Sequence, residues 1–161
     1  MTQTPTQSSS PSQMLAKLGI ALPPAPKPVA SYVPCVPSGN LLIVSGQLPF
    51  RDGTLLATGR VPDPISVERA QEAARQCILN GLAVVAAECG GSLDGVARIV
   101  RLGVFVASSD GFTEQPKVAN GASDLLQQIF GESGRHARAA VGTNALPLGA
   151  SVEIEMMVEV R

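Results

Sequence analysis

The sequence predicts an α+β fold: a two-layer sandwich whose mixed six-stranded sheet is covered on one face by two helices, in the order β-β-β-α-β-α-β-β. Three observations lead there. Two long segments carry apolar stripes at helical spacing, and such stripes need an apolar sheet face to cover. The last segment alternates, with Val152, Ile154, Met156, Val158 and Val160 facing one way and Ser151, Glu153, Glu155, Met157 and Glu159 the other. Ile99–Ala107 is almost continuously apolar, as a central strand is.

Taken in order, the elements begin with an extension over residues 1–28, which holds six of the 13 prolines in this 161-residue chain. Met1–Gln13 is a Thr/Gln/Ser/Pro run with neither the basic start nor the apolar run of a secretory signal, and its composition is that of a mobile tail. Pro11–Leu18 is expected to form one or two helical turns, capped by Ser10 and closed by Gly19. Pro23–Pro28 reads as an extended polyproline linker.

The domain proper runs over 29–161. Tyr32–Val36 is a strand that Pro34 and Pro37 confine to an edge or a start. Leu41–Ser45 is an apolar strand, and Arg51-Asp52-Gly53 turns into a return strand over Thr54–Thr58. Asp63-Pro64 opens a helix over Ile65–Cys89 that Gly90-Gly91 ends. A second helix spans about Glu114–Phe130, capped by Thr113 and closed by Gly131. A strand over Ala137–Thr143, a turn at Leu146–Gly149 and the alternating strand complete the chain. Because Ile99–Ala107 is apolar on both sides, part of the sheet face away from the helices is expected to lie under another subunit.

Composition removes whole classes of function. The 12 basic and 13 acidic residues give a net charge of −1, and aromatics are 3% with no Trp. That leaves neither an electrostatic footprint nor stacking platforms for nucleic acid. No apolar run approaches the ~20 residues that span a bilayer. One histidine, His136, and three cysteines, Cys35, Cys77 and Cys89, lack metal-ligand spacing, so no metal site is expected. The cysteines read as small buried hydrophobes, reduced, in a cytoplasmic protein. There is no Gly-rich phosphate or dinucleotide loop, and no nucleophile elbow around Ser45.

Few residues remain to carry chemistry. Arg138 enters an apolar strand in Arg135-His136-Ala137-Arg138-Ala139-Ala140-Val141. Its planar fork suits a small carboxylate, although a surface Arg is more commonly paired with a glutamate of a neighbouring strand. Glu153 lies on the polar face of the last strand, either simply solvated or set in a cleft to hold a water. Ser45-Gly46-Gln47 is either the plain end of a strand or a bulge whose backbone approaches a ligand. Tyr32 either lines a pocket or packs. Asn80, unfavourable in mid-helix, is expected to bond a neighbouring loop. His136 belongs to the loop before Arg138, and Arg51 and Arg60 are loop charges without an evident partner.

In order and spacing these pieces resemble the RidA/YjgF-like family, also called the L-PSP endoribonuclease family. The resemblance is carried by Tyr32, Ser38–Pro49, Arg75–Asn80, Val104-Phe105-Val106, Phe112, Arg138–Val141, Leu146-Pro147 and Val152–Glu155, and covers about residues 29–160. It implies a chorismate-mutase-like fold and a homotrimer with ligand clefts between subunits. It also implies hydrolysis of reactive 2-imino acids or enamines to 2-keto acids and ammonia, with no metal or cofactor. Arg138 matches the family's carboxylate-gripping arginine, and Glu153 the glutamate that positions water. Tyr32, Ser45 and Gly46 match cleft-lining positions, and the Ala140 backbone matches a ligand contact. The family often has Cys where Ala140 stands. Pro34, Pro37 and the longer Gly111–Arg135 region also depart from the pattern and mark a divergent subgroup. The alternative function is a non-catalytic trimeric module that binds 2-keto acids or other small carboxylates. A ribonuclease fits poorly with the charge and aromatic content.

Overall fold

A computed structural model describes residues 9–26 and 31–161. Its main sheet has five strands in the order β1-β2-β7-β5-β6: β1 (Cys35–Ser38), β2 (Leu41–Gln47), β7 (Val152–Val160), β5 (Val96–Ala107) and β6 (Ala137–Thr143). Only the β5–β6 pair is parallel, so the sheet is mixed. The hairpin expected to supply a further strand forms its own small sheet, from β3 (Phe50–Arg51) and β4 (Thr54–Leu55). Its tip is Asp52-Gly53, both in the left-handed region, as a tight hairpin turn demands. Strand β1 lies at an edge, as its sequence predicts, but its bounds shift from the expected Tyr32–Val36 to Cys35–Ser38, so Pro34 precedes it and Pro37 lies within it.

Two helices cover one sheet face. Helix α2 (Val67–Glu88) is capped by the Ser66 hydroxyl and buries Ala70, Ala74, Cys77, Ile78, Leu82 and Val85. Helix α3 (Gln115–Phe130) buries Val118, Ala122, Leu125, Leu126 and Ile129. Its N-cap position is Glu114 without a side-chain cap bond, so Thr113 does not play the capping role its residue type predicts. Gly121 lets the helices touch: a Cβ there would sit 2.2 Å from the Gln71 carbonyl oxygen on α2. Beneath them Ile99, Leu102, Val104, Ile154, Met156 and Val158 complete the core.

The N-terminal helix α1 (Pro11–Lys17) carries a reciprocal cap between Ser10 and Gln13. It docks through buried Leu15 and through Ser12, whose N–H donates to Asp94 at 2.9 Å. Ser10–Gln13 is thus ordered structure, contrary to the mobile tail read from its composition. Residues 1–8, and Lys27-Pro28 of the proline linker, lie outside the described residues.

Among the described residues no helix covers the opposite sheet face. Val36, Ile43 and Val141 lie there, 50%, 39% and 46% exposed, beside half-buried Phe105 and Met157. The ion pair Arg101–Glu155 (3.0 Å) crosses the same face over Gly103.

Candidate functional site

The predicted site residues fall into two groups. The first is on β6, an edge strand. Arg138 is in register with Leu102 and Ala140 with Val104, so both side chains point to the helix-covered face. The Arg138 guanidinium reaches α3, where Nη1 donates to Asn120 Oδ1 and Ser123 Oγ, each at 3.0 Å. Nη2 donates to the Pro116 carbonyl at 3.5 Å. All three acceptors are neutral. Arg138 makes no ion pair among the described residues; the strand glutamates Glu153 and Glu155 leave from the opposite sheet face, where Glu155 pairs with Arg101.

His136 completes this network. Its Nδ1 lies 2.6 Å from the Gly134 carbonyl, which can only accept, so Nδ1 carries the proton and Nε2 is the acceptor. The Ser123 hydroxyl, 3.0 Å from Nε2, therefore donates to His136 while accepting from Arg138. Burial holds the imidazole below its ordinary pKa, and the Arg138 charge lowers it further against the raising effect of the Gly134 bond. The neutral ring keeps Ser123 oriented as an acceptor for Arg138.

The second group surrounds the end of β2. Pairing with β7 shifts between Val44 and Gln47, so Ser45-Gly46 forms the expected bulge. Glu153 alternates with buried Val152 and Ile154 and therefore faces away from the helices. Its carboxylate lies against Gly46: a Cβ on that glycine would be 2.1 Å from Glu153 Oε1. Burial raises the Glu153 pKa from its ordinary value, and the nearby Glu155 charge raises it further. The Ser45 hydroxyl donates to the Val33 carbonyl at 2.7 Å, which ties β2 to the segment following Tyr32.

Gly46 and Tyr32 also line a cavity of about 500 Å³, with Pro23, Pro24, Phe50 and Arg51 among its other walls. Asn80 anchors one wall as its sequence position predicts, donating to the Leu48 and Phe50 carbonyls at 2.9 and 3.0 Å. Arg51 proves to have a partner, for its Nε donates to Gln76 Oε1 at 3.0 Å.

Within one chain the two groups do not meet. Arg138 is two strands from Glu153 across the sheet and three residues along it, roughly 10 Å in each direction, on opposite faces. Tyr32, Gly46 and Glu153 come together, with Ser45 beside them, while Arg138 and Ala140 stand at the far edge. The sequence left Asn120 and Ser123 unassigned. Their signal is a pair of polar residues three apart on α3, one of them buried within its apolar stripe.

Comparison with known proteins adds relatives to this geometry. The family described as YjgF/chorismate mutase-like, putative endoribonuclease matches residues 12–160. Protein TCP17 of Trypanosoma cruzi is 51% identical over 146 residues, covering 90% of this chain and 91% of that protein. A 2-iminobutanoate/2-iminopropanoate deaminase of Dermatophagoides farinae is 31% identical over 146 residues, covering 90% and 98%. The crystal structure of a protein of unknown function from Agrobacterium tumefaciens superposes with a TM-score of 0.86 at 49% identity, covering 92% and 91% of the two chains.

Proposed function

Because the chain belongs to the YjgF/chorismate-mutase-like family, we propose that it hydrolyses 2-imino acids or their enamine tautomers, in a cleft that a second copy of the chain completes. The observation that carries this reading is the state of Arg138. Its guanidinium is oriented by three neutral oxygens and left without a carboxylate partner among the described residues. A cation so placed supports a role in gripping a carboxylate bidentately.

The other half of the reaction falls to Glu153. A carboxylate whose pKa is raised by burial is a stronger base than a solvated one, suited to holding a water and accepting part of its proton. The water oxygen bonds to the imine carbon, giving a carbinolamine. Proton transfer to nitrogen and cleavage of the C–N bond then release ammonia and leave the 2-keto acid. An imine is already electrophilic, so positioning supplies much of the catalysis. The Gly46 backbone and Tyr32 would form the floor and wall beside that water.

Opposite faces of one chain cannot serve one small substrate. Arg138 and Ala140 at the β6 edge of one copy are therefore assigned to the same cleft as Tyr32, Gly46 and Glu153 of its neighbour, in a trimer whose interior is the apolar open sheet face. The test is the release of keto acid and ammonia from an imine generated in situ. Wild type is expected to accelerate it over buffer and Arg138→Ala to abolish the acceleration. Keto-acid binding without any acceleration by folded wild type would instead identify a non-catalytic carboxylate-binding module.

A further inference from the structure

We infer that the cavity beside Gly46 takes a ligand whose short apolar body ends in a second carboxylate, received by Arg51; this rests on the imino-acid reading of the same site. The substrate class would then be 2-imino acids with an acidic side chain.

Arg51 is held in place by a relay of amides that begins on α2. Asn80, on α2, fixes the hairpin by donating to the Leu48 and Phe50 carbonyls. Its Oδ1 accepts from Gln76 Nε2 at 2.9 Å, and Gln76 Oε1 accepts from Arg51 Nε at 3.0 Å. Gln76 and Asn80 are 4% and 8% exposed, so this is a buried amide relay that ends on a guanidinium at the cavity wall. An exposed arginine is ordinarily free to turn among rotamers. Here a buried amide pins one edge of the fork, and the two terminal nitrogens make no hydrogen bond or ion pair among the described residues.

The rest of the wall favours an apolar body. Pro23, Pro24, Pro26, Tyr32 and Phe50 present rings to the space, and about 500 Å³ is ample for a five-carbon acid. Asp52 lies on the same rim at the hairpin tip and does not pair with Arg51. A pinned guanidinium beside apolar rings is a directional receptor for a carboxylate, and its attraction is less screened there than in open water. Gly46 lines the same cavity and lies against the Glu153 carboxylate, so a ligand that runs from Arg51 as far as Gly46 has its other end toward the proposed water position.

Two stable 2-oxo acids of equal chain length separate the possibilities, 2-oxoglutarate and 2-oxopentanoate, titrated calorimetrically into the full chain. Wild type is expected to bind 2-oxoglutarate about tenfold or more tightly than 2-oxopentanoate, the scale of one charge-assisted contact. Arg51→Gln should erase that preference by weakening 2-oxoglutarate far more than 2-oxopentanoate, while Arg51→Lys should restore part of it. Equal affinities in wild type, or a preference that survives in Arg51→Gln, would overturn the inference and leave the imino-acid reading standing. Binding of neither acid by wild type would overturn both.

Discussion

The proposed reaction rests first on the Arg138 guanidinium, whose setting suits it to receive a carboxylate. Its acceptors hold the fork without neutralising it, and one of them, Ser123, depends in turn on a neutral His136. The sign of the resulting pH dependence follows from the lowered imidazole pKa. The unfolded chain binds the proton more readily, so this group's contribution is full above the ordinary histidine pKa of 6.5 and is lost as pH falls through the lowered folded value. Thermal unfolding at pH 7.5 and 5.5 should therefore show a larger fall in Tm for wild type than for His136→Gln; equal falls would remove the coupling. For Glu153 the raised pKa places the acid limb of kcat/KM above the ordinary carboxylate value of 4.5, and Glu153→Gln should flatten that limb and cut the rate at least about 100-fold. Strand context made Arg138 and Glu153 candidates in the sequence, and only the family resemblance favoured a functional role for them over an ordinary ion pair and a solvated strand face. The Asn120–Ser123–His136 network was not legible there, because it joins α3 to a loop that only the packing brings alongside, at separations with no local periodicity.

At the scale of elements, close approaches decide what can change. The β2 bulge lets the Glu153 carboxylate lie over Gly46, where any side chain would collide with it. Gly46→Ala should leave the fold intact, since the carboxylate end can shift, but should lower activity by about tenfold or more through the displaced base. At Gly121 the obstacle is the Gln71 backbone. Gly121→Ala must spread α2 from α3 and should cost about 1–3 kcal/mol of stability, read as a lower denaturation midpoint in urea with an unchanged slope. The strands and helices themselves were largely readable. Continuous apolarity gave β5, alternation gave β7, and Asn80 announced its loop contact. What escaped was the separation of the β3–β4 hairpin from the main sheet, because two-residue strands carry too little pattern to show which edge they join. Over Ser10–Gln13 two readings overlap, a capped helix start and a tail-like composition, and the polar cap with one docking leucine decides for the helix.

On the scale of the whole molecule, the sheet divides the candidate site. One half lies at the β6 edge under α3, and the other lies at the β2 bulge on the uncovered face. Apolar residues on both sides of β5 lead to the expectation of a second subunit on this face, and exposed Val36, Ile43 and Val141 mark where it would rest. The division itself was beyond the sequence, since the fifteen-residue spacing of Arg138 and Glu153 is silent about which face each side chain leaves from. The central claim is that one working cleft takes its arginine from one copy and its glutamate from another. Co-expressing Arg138→Ala with Glu153→Gln chains and measuring deamination by the isolated mixed oligomers tests it most directly. Each variant alone should be inactive, and every mixed trimer, of either composition, should carry one intact cleft and hence about a third of the wild-type rate. Mixed oligomers that form but stay as inactive as their parents would contradict the account, because both residues would then have to come from the same chain.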